Sequence, residues 1–389
     1  MIERAIEAEV ITDKLRHFPV VAVLGARQVG KTTLARQLPR AHLDPITRFD
    51  LENPEDQARL SDPMLVLKNL EGTVVLDEVQ RYPGLFPILR VLVDRPDNPL
   101  RFIVLGSASP ELLKQSSESL AGRIYYHTLS GFSSQEVGVK NMELLWRRGG
   151  FPRSFLASSE AESFEWRRQF VRTFLERDIP QFGLTLDSVT LRRFWTMLAH
   201  YHGQVWNGSE LSRSLGVADT TLKRYLNILE AAFVVKQLQP WRENLKKRQV
   251  KSPKVYINDA GILHVLLNIH SQEELESHPK AGASWEGFII DELCRYLDPS
   301  EYFFWATHAG ADLDLFINTG AARFGVEIKR TASPKKTRSM YSATEDLGLT
   351  KLFLIHAGDS SFPLSDKIQA VSSYSVRQDI VPVISRTAR

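Results

Sequence analysis

The chain has almost no cysteine. Cys294 stands alone among 389 residues, which excludes an intrachain disulfide and any Cys-rich zinc site. No apolar run approaches the ~18 residues that span a bilayer, so no membrane segment is expected. The first residues, MIERAIEAEVITDKLRHF, mix acids with apolar positions and form no h-region. A secretory signal is therefore not expected, and the reading is cytoplasmic. Net charge is small: 49 Lys and Arg against 46 Asp and Glu leave +3, too little to argue for nucleic acid as a partner of the whole molecule. No internal repeat or low-complexity tract appears.

What is present is ordinary globular sequence, 43% hydrophobic and 24% charged, long enough for two or three domains. Over the first ~135 residues, short apolar runs (FPVVAVLG, TVVLDE, RFIVLGS, IYYHTLS) alternate with amphipathic stretches, the strongest of these near Leu85–Val93. That alternation argues for an α/β domain with a parallel sheet covered on both faces. From Val137 to about Ala231 the pattern is helical, and two short strands follow near Phe233–Gln237 and Val255–Ile257. From Ser284 the order reads helix, strand, strand, helix, strand. Three parts result: 1–135, 136–270 and 271–389.

The strongest local signal is GARQVGKTT, Gly25–Thr33, directly after the apolar run Val20–Leu24. It fits G-x-x-x-x-G-K-[ST]. Its glycines let backbone N–H groups curl around phosphates, and the helix that follows aims its N-terminus at them. Gly25, Ala26, Arg27, Gln28, Val29, Gly30 and Thr33 would line a nucleotide. Lys31 would reach the β- and γ-phosphates of ATP, and Thr32 would ligate Mg²⁺. The second signal, TVVLDEVQ, is a β-prone run ending in two carboxylates. A strand delivers Asp77 to its carboxyl end, where ligands bind in open α/β sheets. Asp77 would hold Mg²⁺ through water, and Glu78 would polarise the attacking water as general base. RFIVLGSAS ends another strand in small polar residues, of which Ser107 and Ser109 are candidates for reading the γ-phosphate. Arg123, in SLAGR, is either a cation offered to a neighbouring subunit in a homo-oligomer or half of a surface salt bridge.

GARQVGKTT, LDEVQ, LGSAS and SLAGR, in this order, resemble the prokaryotic AAA-type P-loop ATPases that carry a C-terminal domain of unknown function. The resemblance implies an ATPase core with Lys31, Thr32, Asp77 and Glu78 as its working residues. It extends, more weakly, over nearly the whole chain.

In the middle, NGSELSRSLGVADTTLKRYLNILEAAFVVKQL has a helix-turn-helix layout with Gly216 in the turn. An inward stripe of Leu222, Leu226 and Leu229 would expose Asp219, Thr220, Lys223, Arg224 and Asn227. Residues 236–254 hold seven Lys or Arg against one Glu, and a second basic stretch spans 323–338. Helix and basic segment together fit a winged helix, with DNA as partner through Lys223, Arg224, Lys246, Lys247 and Arg248. Winged helices also serve as protein-packing modules.

The last part brings carboxylates together. GASWEGFIIDELCRYL reads as a helix N-capped by Ser284, with Glu286 in the first turn on the face of Ile289, Ile290 and Leu293. A carboxylate there needs a partner, a metal or the helix dipole. ADLDLFIN alternates, setting Asp312, Asp314 and Phe316 opposite Leu313, Leu315 and Ile317. If it forms a hairpin with FGVEIKR about Gly320 and Ala321, Asp314 faces Glu327, with Lys329 beside it. Facing carboxylates are unfavourable unless a cation lies between them, so Glu286, Asp314 and Glu327 are candidate Mg²⁺ ligands and Lys329 a candidate catalytic group. This D…E-x-K layout resembles the restriction-endonuclease-like fold, which implies a nuclease-like domain. The expected function is a Mg²⁺-dependent ATPase coupled to a DNA-binding, nuclease-like module. The alternative is a regulatory nucleotide switch whose C-terminal half binds a partner without cleaving.

Overall fold

The computed structural model describes residues 2–39, 43–96, 100–107, 116, 118–181, 187–242, 250–297, 300–308, 310–385 and 387. Ser109, Lys246, Lys247 and Arg248 lie outside the described residues. The chain folds as two compact units, Met1–Phe132 with Tyr225–Val234, and Ser133–Arg224 with Val235–Arg389.

The first unit is built on strands β1 (Val20–Leu24), β2 (Ile46–Asp50), β3 (Gly72–Asp77), β4 (Leu100–Gly106) and β5 (Ile124–Thr128), in the order β2-β3-β4-β1-β5 and all parallel. Strands β1, β3 and β4 run apolar without alternation because both faces are covered. Val20, Ala22, Leu24, Val74, Leu76, Phe102 and Val104 pack with Leu85, Phe86, Leu89 and Leu92 of the helix Leu85–Val93. Val21, Val23, Val75, Ile103 and Leu105, which point the other way, are equally buried. The edge strand β2, sequence ITRFD, is a strand that patterning missed: among its five residues only Phe49 is buried.

In the second unit, β6 (Gln204–Val205), β7 (Val235–Leu238) and β8 (Lys254–Ile257) form an antiparallel sheet with β8 in the centre. The helices Gly208–Leu215 and Asp219–Ala231, the second of which belongs to the first unit from Tyr225 on, are separated by a tight turn in which Gly216 adopts φ +71°. Leu222, Leu226 and Leu229 are buried, and Asp219, Thr220, Lys223, Arg224 and Asn227 are exposed. A six-stranded mixed sheet follows, β9 (Tyr302–Ala306), β10 (Asp312–Asn318), β11 (Arg323–Lys329), β12 (Lys351–His356), β13 (Phe362–Pro363) and β14 (Ile368–Ser372), ordered β13-β14-β12-β11-β10-β9. The pairs Leu315–Val326 through Asn318–Arg323 have the register the hairpin expectation required.

Two expectations are corrected. The helix that carries Glu286 spans Ala281–Cys294 and has no side-chain cap, so Ser284 lies inside it and Glu286 is beyond the first turn. The Ser284 hydroxyl is engaged elsewhere: it accepts from Trp146 Nε1 at 3.0 Å and lies 2.7 Å from His264 Nε2. The alternation along β10 is also broken. Against β9 the register slips by one residue between Leu313 and Phe316, so Leu313 and Phe316 enter the same core cluster. Such a bulge re-aims the side chains beside it, and Asp314 sits within it.

Candidate functional site

The first site lies where β1 ends. Gly25 is required there because a Cβ would stand 2.2 Å from the Leu129 carbonyl oxygen. Gln28 and Gly30 both take positive φ, +62° and +103°, which turns the loop into the helix Lys31–Gln37. Arg4, which sequence reasoning missed, is buried and donates to the carbonyls of Val29 (3.5 Å), Ser130 (3.0 Å) and Gly131 (3.2 Å). It ties the loop to the segment after β5.

Lys31 is buried, and its ammonium donates to the carbonyls of Gly25 (3.1 Å) and Ala26 (3.0 Å). Thr32 Oγ1 donates to Asp77 Oδ2 at 2.7 Å, and the Glu78 N–H donates to Asp77 Oδ1 at 2.9 Å. Burial raises the Asp77 pKa, outweighing the bonds from Thr32 and Glu78 that lower it, while Asp50 adds to the rise. Asp50 is the register partner of Asp77 at the end of β2, a second acid that the sequence reading passed over. Glu78 takes φ +55°, a conformation that costs a non-glycine residue about 1–3 kcal/mol. Its carboxylate accepts from the Gln80 amide, which also donates to Ser107 Oγ at 3.0 Å. Gln80 thus joins the expected base to the expected γ-phosphate reader, and its Oε1 is buried without a hydrogen-bond partner. It was legible only as the last letter of LDEVQ.

These residues fit a magnesium nucleotide. A loop that turns through positive φ at Gln28 and Gly30 into a helix N-terminus, a lysine on displaceable carbonyls and a hydroxyl–carboxylate pair are the donor set it needs. Arg123 stands apart. Its carbonyl accepts from Val20 N–H at the amino end of β1, whereas the loop leaves the carboxyl end, five residues or about 16 Å away. Its guanidinium holds Asp94 through Nε (2.5 Å) and Nη2 (2.9 Å) on the exposed surface.

The second site lies within the second unit. Lys254 Nζ stands 3.3 Å from Glu286 Oε1 and 3.6 Å from Asp314 Oδ1. Tyr256, two residues on along β8, donates its hydroxyl to Glu286 Oε1 at 2.6 Å. Asp314 Oδ2 accepts the Ile328 N–H at 2.8 Å, and Lys329 holds Glu327 at 2.8 Å. Burial, then Glu286 and Glu327, push the Asp314 pKa well up. Burial also raises that of Glu327, against Lys329. For Lys254, burial lowers the pKa, but Glu286 and Asp314 outweigh it and keep the ammonium charged. Among the described residues, no group of three His, Cys, Asp or Glu side chains is arranged to hold a metal ion. Lys254 instead lies beside Glu286 and Asp314, two of the three carboxylates expected around Mg²⁺. Lys254 and Tyr256 were missed because Lys254 counted only as part of a basic stretch. The signal was their i, i+2 spacing, which puts both on one face of a strand.

A phosphate loop after an interior strand of a parallel sheet, with a strand-end aspartate bonded to the loop's threonine, defines the P-loop nucleoside triphosphatase fold. A family model described as an AAA domain matches residues 17–138. Models described as domains of unknown function, DUF8612 and DUF4143, match residues 139–273 and 281–376. The uncharacterized protein Rv2008c of Mycobacterium tuberculosis is 50% identical over 371 residues, 95% of this chain and 84% of its own length. Mb2031c of Mycobacterium bovis matches with the same figures. The Walker-type ATPase PABY2304 of Pyrococcus abyssi is similar in fold, with a TM-score of 0.51 at 15% identity over 69% of this chain and 96% of that one. The chain belongs to the family of the mycobacterial proteins, AAA-type P-loop ATPases with a C-terminal domain of unknown function. Among the described residues, no helix is long and apolar enough to cross a membrane.

Proposed function

We propose that this protein is a Mg²⁺-dependent ATPase whose nucleotide state governs a partner-binding C-terminal half. The observation that carries the reading is the 2.7 Å bond between Thr32 and Asp77 beside the buried Lys31. In this reading Lys31 leaves the Gly25 and Ala26 carbonyls for the β- and γ-phosphate oxygens. Thr32 and Asp77 hold Mg²⁺, which when bound neutralises phosphate charge. Glu78 orients water and takes its proton, while the Gln80 amide fixes the carboxylate against Ser107. Arg123 reaches no phosphate of its own chain, so any part it plays in hydrolysis is in a neighbouring copy. The domain division 1–135, 136–270 and 271–389 belongs to the same proposal.

DNA is the second reading for the partner, favoured by the exposure of Lys223 and Arg224 on the helix Asp219–Ala231. The ATPase reading is tested with Glu78→Gln. The expected result is unchanged ATP binding and a turnover lower by at least about a hundredfold, because an amide is a poor base. Undiminished turnover in the folded variant removes Glu78 from the role.

A further inference from the structure

Three carboxylates around one space normally call for a metal. Here each already has a donor from the protein: Tyr256 and Lys254 on Glu286, Lys254 and the Ile328 N–H on Asp314, Lys329 on Glu327. Glu327 Oε2 is the one buried carboxylate oxygen of the set without a hydrogen-bond partner. Two ammonium groups therefore already lie among the three carboxyl groups, and a divalent ion would have to displace Lys254 to reach both Glu286 and Asp314.

Lys254 is not a surface side chain that happened to fold inward. It sits on β8, whose two neighbours, β6 and β7, pair at this same residue: Val205 with Lys254 on one side and Leu238 with Lys254 on the other. The backbone is therefore fixed on both edges. The side chain is 9% exposed, and its ammonium lies 5.6 Å from the centroid of the Phe304 ring, a further contact that suits a cation.

We infer that Lys254 is the resident cation of this carboxylate set, standing where a divalent ion would stand in a nuclease, and that the site takes up no divalent metal. The C-terminal half is then a nuclease-like scaffold without metal-dependent phosphodiester chemistry. The inference stands on the second unit alone and is independent of ATP hydrolysis, so either can fail without the other.

The test uses the full chain without nucleotide, in a Lys31→Ala background that removes the nucleotide binding by which metal would be carried to the phosphate loop, with Mn²⁺ as the probe. Bound Mn²⁺ is counted by electron paramagnetic resonance, and melting temperature is followed alongside. The expected result has three arms. The Lys31→Ala protein binds no Mn²⁺ that Asp314→Asn removes. Adding Lys254→Met creates a site for one Mn²⁺ per chain and a metal-dependent rise in melting temperature. Adding Asp314→Asn to that variant abolishes both. Mn²⁺ bound by the Lys31→Ala protein and lost on Asp314→Asn overturns the inference, as does a folded Lys254→Met variant that gains no ion. If Lys254→Met does not fold, the first arm decides the question alone.

Discussion

In the first unit the Lys31 ammonium rests on two backbone carbonyls, and the nearby Asp77 carboxylate is held by a neutral hydroxyl and an N–H. In the second unit the Lys254 ammonium rests between two carboxylates. Both sites gather a lysine and acids in buried surroundings, yet their chemistry diverges. A cation on carbonyl dipoles gains by moving to a phosphate, because it then meets a full negative charge instead of a partial one. A cation already shared by two buried carboxylates loses by moving, because it would leave them facing each other unpaired. The residue types are the same; what differs is whether the lysine's present partners are weaker or stronger than the ligand it might meet.

The largest effect that sharpens this contrast concerns ATP affinity. Lys31→Ala should weaken ATP binding by roughly 10–100-fold, the worth of a hydrogen bond to a charged group. Lys254→Met should leave ATP affinity unchanged. Isothermal titration of both variants checks the pair, and equal losses in the two would erase the distinction between a recruitable and a committed lysine.

Stability should run the other way. With no metal added, Lys254→Met leaves Glu286 and Asp314 without their shared cation, and breaking such a buried set costs about 3–5 kcal/mol. Lys31→Ala leaves carbonyls, not carboxylates, without a donor and should cost less, about 1–3 kcal/mol. Urea denaturation at pH 7 measures both. A Lys254→Met protein as stable as the unaltered chain would mean that its carboxylates are solvated or protonated instead of paired.

How far each site could be read in advance follows from how local it is. The phosphate loop is contiguous sequence, and its geometry is set by Gly25, Gly30 and the strand before them, so GARQVGKTT was enough. Asp77 and Glu78 were equally legible, since one apolar strand places both. The hairpin that pairs Leu315 with Val326 was legible too, because a short turn and period-2 alternation fix a register. Lys254 was not, because it meets Glu286 and Asp314 across 32 and 60 residues of chain, and nothing in a basic stretch distinguishes a buried lysine from a solvated one. The bulge at Asp314 and the strand β9, sequence YFFWA, were missed for a related reason. A strand of four successive aromatics and an alanine shows no alternation, and a bulge has no letter of its own. Ser284 was misread as a cap because capping chemistry and a buried Trp146–Ser284–His264 relay use the same hydroxyl.

That relay supplies the smallest of the predicted effects, a change of slope. His264 Nδ1 faces the Arg147 carbonyl at 2.9 Å and Nε2 faces Ser284 Oγ at 2.7 Å. The neutral ring satisfies both by donating from Nδ1 and accepting at Nε2. Burial, with Arg167 and His278 adding to it, lowers its pKa to about 3, against the bond to Arg147. His202, equally buried, is also lowered to about 3. An unfolded histidine titrates near 6.5, so as pH falls below that value the unfolded chain takes up a proton that the folded chain refuses. The stability these rings allow is therefore present above about pH 6.5 and is lost as pH falls toward 3. The slope approaches about 1.4 kcal/mol per pH unit for each histidine. The raised pKa values of Asp314 and Glu327 act in the opposite sense, since those carboxyls keep protons in the folded state, so the net slope of the unaltered chain is shallower than two histidines alone would give. His264→Gln removes one of the acid-sensitive rings. Whatever its stability at pH 7, its urea midpoint should fall less steeply between about pH 6.5 and pH 5 than that of the unaltered chain. Parallel slopes would mean that His264 is already protonated in the folded state, and the neutral relay to Ser284 and Arg147 would then be wrong.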